Sequence, residues 1–143
     1  MKKGTEEKAG MKHMLDVKVY YEDTDCGGVV YYGKYLGFLE RARTEYLESR
    51  GIRLIDLMAE GIYFVVAHVD IDYRSSAHYG DVISISSEIG DVTAATVTFR
   101  HELFQKGSPD KAIATASVKL ACVGRTMRPQ RLKPEIMNAL RNG

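Results

Sequence analysis

Three acids stand close together in Glu22-Asp23-Thr24-Asp25, and two glycines, Gly27 and Gly28, follow Cys26. A periodic apolar pattern sets in soon afterwards, near Tyr32. That order puts carboxylates between the end of one element and the start of a helix. A helix N-terminus presents N–H groups with no intrahelical acceptor and carries about half a positive charge. A carboxylate beside such donors can act on a carbonyl whose oxygen the donors polarise. The plainer alternative is a helix lead-in of solvated acids, with an Asp capping nearby amides. Spacing alone leaves both open.

Other chemistry-bearing residues give less. Asp23-Thr24-Asp25 has the opening of a calcium loop, but the twelfth position from Asp23 is Lys34, where a bidentate Glu is required. Cys26 adjoins acids that disfavour a thiolate, so it is expected to be a small packing residue. None of His13, His68, His78 and His101 has the i, i+4 spacing of a helical metal pair. His68 and His101 fall within strand patterns and are expected as hydrogen-bonded structural residues; His78 falls in a turn. Arg125, Arg128, Arg131 and Lys133 form a basic segment that suits phosphates or a solvated tail equally.

The elements that must position these residues follow from periodicity. Leu15, Val17 and Val19 alternate with Asp16 and Lys18, which predicts a strand over Leu15 to Tyr21. From about Tyr32, apolar residues Tyr35, Phe38, Leu39, Ala42, Tyr46 and Leu47 recur at three- and four-residue steps. Charged residues, Arg41 and Arg43 among them, take the remaining surface, and Gly51 is a natural stop for this helix. Gly33 and Gly37 cost helix stability, so close approach of that face to a sheet or ligand is expected in return. A short helix is expected from Leu54 to Glu60, then strands over Val65–Tyr73, Asp81–Glu88, Val92–Phe104 and Ala112–Val123. Gly90-Asp91 and Lys106 to Asp110 read as hairpin connections, and Pro134 opens a last amphipathic helix. One long helix and a four-strand meander predict an α+β domain, an antiparallel sheet wrapped around the helix.

Composition bounds the function. The chain has 143 residues, enough for one domain, expected over 13–143 after a flexible leader from Met1 to Lys12. Twenty Lys and Arg against 19 Asp and Glu give a net charge of +1, with no footprint for nucleic acid. No apolar run reaches membrane-spanning length, so membrane insertion is not expected. Cys26 and Cys122 are the only cysteines, and without a secretory signal they predict reduced thiols in a cytoplasmic protein.

The run Tyr20-Tyr21-Glu22-Asp23-Thr24-Asp25-Cys26-Gly27-Gly28-Val29-Val30-Tyr31-Tyr32, continuing through Tyr35 and Glu40-Arg41-Ala42-Arg43-Thr44-Glu45, resembles the 4-hydroxybenzoyl-CoA thioesterase-like hotdog superfamily. It is particularly similar to the Tol-Pal-associated acyl-CoA thioesterase branch, and the likeness extends from Leu15 to about Pro134. The resemblance implies a hotdog fold and hydrolysis of acyl-CoA to free acid and CoA, with no metal or organic cofactor. It puts the catalytic aspartate at Asp25, as nucleophile or general base, and the oxyanion donor at the backbone N–H of Tyr32. Gly28 matches the glycine that opens the loop to substrate, Val30 stands with it on the substrate side, and Arg125 and Arg128 are candidate CoA anchors. Members of the nearer branch often carry His where Tyr32 stands. The resemblance also implies a homodimer or homotetramer with sites at the subunit interface. Two rivals are a non-catalytic acyl-CoA-binding protein and a hotdog enoyl-CoA hydratase. The second expects His five residues after the aspartate, where this chain has Val30.

Overall fold

The computed structural model describes residues 12–142, so the leader lies outside the described residues apart from Lys12. Five strands form one antiparallel sheet: β1 (His13–Lys18), β2 (Tyr63–Tyr73), β3 (Val82–Val92), β4 (Thr96–Gln105) and β5 (Ser108–Val123). Their spatial order is β1-β3-β4-β5-β2, each neighbour antiparallel. The expected meander therefore holds only for β3, β4 and β5. β2 crosses to the far edge and pairs with β5, while β1 takes the other edge beside β3.

Alternation puts one face of this sheet in the core. Val97, Phe99, His101 and Leu103 of β4 are buried, and Arg100 and Glu102 between them are exposed. The expected alternation of β2 breaks at Ala67, where the register shifts between Val66 and His68, and His68 is exposed at this irregularity rather than structural. Gly90-Asp91 lies inside β3, not at its end. The β3–β4 connection instead closes on Thr93, whose N–H donates to Thr96 O at 2.9 Å and whose hydroxyl meets that of Thr96 at 2.6 Å.

The long helix, α1 (Lys34–Ser49), begins two residues later than its apolar pattern and packs against β1 and β3. Gly33 is its N-cap. Gly51 N–H donates to Glu48 O and Ile52 N–H to Leu47 O, a Schellman closure with Gly51 at φ 82°. The buried stripe holds Tyr35, Phe38, Leu39, Ala42, Tyr46 and Leu47 as expected, but also Arg43. Arg43 is adjacent to Ala42 and four residues after Leu39, so its stem is carried into the core interface, not onto the surface. Gly37 is exposed and a methyl there would touch nothing within 4 Å, so the close approach expected of it is not made within the chain. Two short helices, α2 (Leu54–Ala59) and α3 (Pro134–Asn142), complete the fold.

Candidate active site

The loop from β1 to α1 is built by its two aspartates, which have different surroundings. Asp23 closes a 3-10 turn (Tyr21–Asp23) and is buried. Its Oδ2 accepts from Tyr20 N–H at 2.9 Å, its Oδ1 lies 3.3 Å from Lys34 Nζ, and its carbonyl accepts from Tyr31 N–H at 3.0 Å. Asp23 thus ties the loop to the first turn of α1. Lys34, which stands where a calcium loop needs its Glu, is the ion-pair partner.

Asp25 is exposed. One oxygen, Oδ1, accepts from Gly27 N–H at 2.8 Å and Val29 N–H at 3.4 Å, an Asx-type turn. Its backbone exchanges bonds with the same loop: Asp25 N–H to Val29 O at 2.9 Å, and Gly28 N–H to Asp25 O at 3.1 Å. The capping of nearby amides weighed in the sequence is therefore present, but it occupies one oxygen. Among the described residues no donor is bonded to Oδ2. Gly28 turns the chain with φ 79°, which L side chains rarely adopt, and the turn leaves Cys26 exposed instead of packed. Cross-links to the β2–β3 connection hold the loop, Tyr79 N–H to Gly28 O at 3.0 Å and Val30 N–H to Ala77 O at 2.9 Å.

The helix lead-in supplies open donors. Tyr31 O accepts from Lys34 N–H at 2.8 Å, and Tyr32 O from Tyr35 N–H at 3.4 Å. The N–H groups of Tyr32 and Gly33 donate to no described residue. The Tyr31 ring lies over Gly33, where a Cβ would come within 2.8 Å of it, so only glycine fits there without moving the ring.

Asp25, Val30, Tyr32, Tyr35 and Tyr73 together line a pocket of about 590 Å³. Its far wall is Arg74, Ser75 and Ser76. Burial pushes the phenols of Tyr35 and Tyr73 above the usual tyrosine value, and the Tyr32 hydroxyl raises that of Tyr31. These phenols are therefore protonated at neutral pH, a mostly apolar aromatic wall with hydroxyl donors. A separate hollow of about 460 Å³ lies by α3, lined by Glu88, Asp91, Arg100 and Arg141. Its cations are engaged, Arg100 beside Glu88 at 3.9 Å and Arg141 with Val92 O at 3.3 Å. It offers no carboxylate facing open donors.

Of the residues singled out in the sequence, Asp25, Val30 and Tyr32 meet in the pocket, and Gly28 shapes the loop beside it. Arg125 and Arg128 do not meet them within one chain. Both follow Val123, which pairs with Tyr63 at the start of β2, whereas Tyr73 at the pocket ends that strand. Ten steps of strand separate the two ends, roughly 33 Å. Arg125 instead packs on the α2–β2 junction, Nη2 donating to Ala59 O at 3.4 Å. His78 is exposed in its turn, with its backbone N–H on Asp81 Oδ2 at 2.9 Å. Tyr73 and the Arg74–Ser76 wall were not singled out. The available signal was the polar run that ends the β2 pattern.

The Thioesterase superfamily matches residues 27–112. The chain is 43% identical to the acyl-CoA thioesterase YbgC of Haemophilus influenzae over 108 residues, 75% of this chain and 77% of that one. It is 36% identical to the acyl-CoA thioester hydrolase YbgC of Escherichia coli over 121 residues, 85% of this chain and 86% of that one. Among solved structures, a 1,4-dihydroxy-2-naphthoyl-CoA thioesterase from Synechocystis superposes with a TM-score of 0.85 at 24% identity, covering 92% of this chain and 96% of that one. At that identity the likeness shows the fold alone, the hotdog arrangement of sheet around helix.

Proposed function

This chain belongs to the thioesterase superfamily, and from that premise we propose that it hydrolyses acyl-CoA thioesters with Asp25 as the catalytic carboxylate. One observation carries the site: Asp25 has one oxygen tied and the other bonded to no described donor, in the same pocket as Tyr32, whose N–H is likewise open among the described residues. In the nucleophilic route Oδ2 attacks the thioester carbon, the C–S bond breaks, CoA leaves as thiolate, and water cleaves the resulting anhydride. In the general-base route Oδ2 takes the proton of a water that attacks the same carbon, the C–S bond breaks as the adduct collapses to the free acid, and CoA leaves as thiolate, which takes up the proton from Asp25 or solvent. Both routes need the carbonyl oxygen held at the helix N-terminus, where one oxyanion donor is worth about 2.7–4 kcal/mol. Neither route draws on a metal or organic cofactor.

The test is release of free thiol from a panel of acyl-CoAs varied in chain length and aromaticity. Turnover supports hydrolysis. Saturable binding without thiol release would replace it with the reading of a non-catalytic acyl-CoA-binding protein.

The working form we propose is a homodimer or homotetramer in the cytoplasm. The outer edge of β2, eleven residues long, has no strand beside it among the described residues. A long bare edge is a pairing liability unless something covers it. Two copies joined antiparallel along β2 would bring the Tyr63 end of one to the Tyr73 end of the other. Arg125 and Arg128 of a second copy would then approach the pocket, a position suited to CoA phosphates. On this arrangement Arg125→Ala raises KM for acyl-CoA more than for an acyl-pantetheine lacking those phosphates; equal effects would send the anchor elsewhere. Cytoplasmic placement rests on the two unpaired thiols, Cys26 and Cys122, and no described helix is long and apolar enough to cross a membrane.

A further inference from the structure

Tyr73 is the last residue of β2 and is held there more firmly than its exposed position suggests. Its Cα partner is Ala114 of β5. The two following N–H groups, of Arg74 and Ser75, both donate to Ile113 O, at 2.8 and 3.1 Å. The Ser75 hydroxyl donates to Ala112 O at 2.6 Å. The root of the Tyr73 side chain is therefore set by the sheet ladder. Its ring packs on buried Tyr35, centroids 5.6 Å apart at 59°. From there the hydroxyl crosses the pocket and donates to the carbonyl oxygen of Tyr32 at 3.2 Å, a contact between residues 41 apart in sequence.

That carbonyl is the weakly held one in the lead-in to α1. A trans peptide keeps its C=O and the next N–H on opposite sides of one plane, so fixing the carbonyl fixes the amide. The Tyr31–Tyr32 peptide is fixed from within the helix, because Tyr31 O accepts from Lys34 N–H at 2.8 Å. The Tyr32–Gly33 peptide has only the long 3.4 Å bond from Tyr35 N–H as its intrahelical tie. Gly33 adds conformational freedom at that joint and no capping side chain. A preorganised donor is worth more than one that must be ordered during reaction.

We propose that Tyr73 is a positioning residue for hydrolysis: its hydroxyl locks the Tyr32–Gly33 peptide and so aims the open Gly33 N–H, the donor that joins the Tyr32 N–H in receiving the thioester oxygen. The inference rests on the thioesterase reading above and adds a residue to it. Burial, and then the neighbouring Tyr32, raise the Tyr73 phenol further above its ordinary alkaline pKa, and like any tyrosine it is a donor throughout the neutral range.

The experiment is Tyr73→Phe, which keeps the ring on Tyr35 and removes only the hydroxyl. On an acyl-CoA turned over by the wild type, kcat is expected to fall roughly tenfold with KM within about twofold, the pattern of a lost transition-state interaction. The melting temperature and the pH profile of kcat should stay unchanged. A second measurement needs no substrate: the ¹H–¹⁵N cross-peak of Gly33, on the peptide that loses its bond, should move, and that of Tyr32 should hold. Unchanged kcat, or an unmoved Gly33 cross-peak, overturns the positioning role while thioester hydrolysis stands. A rise in KM alone overturns it too, since the hydroxyl would then be a substrate contact. A wild type that releases no thiol from any acyl-CoA removes the reading beneath it, a distinguishable result.

Discussion

Among the described residues, the loop before α1 and a buried pair beneath that helix both gather polar side chains of catalytic type, and they differ in whether a substrate can reach them. At the pocket, Asp25 keeps a carboxylate oxygen that no described donor claims, and it shares the lining with Tyr32, whose N–H donates to no described residue. Under α1, Ser87 and His101 sit opposite each other on β3 and β4, with Oγ and Nδ1 2.8 Å apart. A serine hydroxyl bonded to an imidazole has the components of a nucleophile and its base. Yet both side chains are buried, the His101 ring stacks on Phe99, and its Nε2 has no hydrogen-bond partner among the described residues. Burial first, then the charge of nearby Arg43, pushes the His101 pKa down to about 3. An imidazole so reluctant to accept a proton is a poor general base at neutral pH. The difference is what faces open space: the buried pair has the residue types of catalysis, and the loop has groups a substrate can reach.

The largest expected effect breaks the comparison at its functional end. Asp25→Asn keeps the size of the side chain, and its amide oxygen can still accept from Gly27 and Val29. It removes the nucleophilic or basic carboxylate. A loss of about 10²–10⁴-fold in kcat is expected, with folding and substrate binding retained. Asp23→Asn is the control for negative charge in the loop. The buried Asp23 carboxylate's ion pair to half-exposed Lys34 and its bond from Tyr20 N–H predict a lower melting temperature before any comparable loss of kcat. Near-normal turnover by Asp25→Asn, measured beside a melting curve, would sink the catalytic assignment and leave Asp25 as a turn residue.

The next effect belongs to the buried pair and is read in stability. His101 titrates near 6.5 when unfolded and at about 3 when folded, so between those values the unfolded chain binds the extra proton. Stability from this group is complete above pH 6.5 and declines as pH falls toward 3. The slope is at most about 1.4 kcal/mol per pH unit. His101→Gln, which cannot ionise, should flatten that part of the stability curve in denaturant titrations at pH 4 to 7. The same variant should leave the pH dependence of kcat in place. A slope unaffected by the substitution would show that other groups set the acid limit, and a displaced activity profile would join the two regions that the geometry separates.

How far all this could be read in advance depended on whether the deciding contacts were local. The stripe Tyr35, Phe38, Leu39, Ala42, Tyr46 and Leu47 is a repeat within one helix, so its burial was legible. Asp25 was legible because a strand end, two glycines and a helix start flank it in sequence, and because the whole run resembles a family. Arg43 was not, because its burial depends on how wide an arc α1 turns toward β3 and β4. The turn at Gly90-Asp91 was misplaced for a related reason. Gly90 makes room for Arg100, whose Nη1 lies 2.6 Å from where a Cβ would stand, and the Thr93–Thr96 bonds make the turn instead. Tyr73 and Tyr32 are 41 residues apart, and nothing in either local pattern announces their hydrogen bond.

The smallest expected effect sharpens the comparison by separating a side chain from its own backbone. Tyr32 is an exposed aromatic on the pocket wall, its ring 4.7 Å from that of Tyr31, and its hydroxyl raises the Tyr31 pKa. The role proposed for it belongs to the N–H, which Tyr32→Phe leaves untouched. The carbonyl that accepts from Tyr73 is also backbone and also remains. The phenol is thus expected to contribute only through the Tyr31 hydroxyl and the pocket surface. kcat/KM should stay within about tenfold of wild type, or 1.4 kcal/mol in transition-state binding. A loss of several hundredfold in an intact fold would make the hydroxyl a participant, and the wall of the pocket would then be doing chemistry that the present assignment gives to Asp25 and the helix end. A modest loss confined to aromatic acyl groups would instead mark Tyr32 as a specificity contact, with the division between reactive loop and aromatic wall left standing.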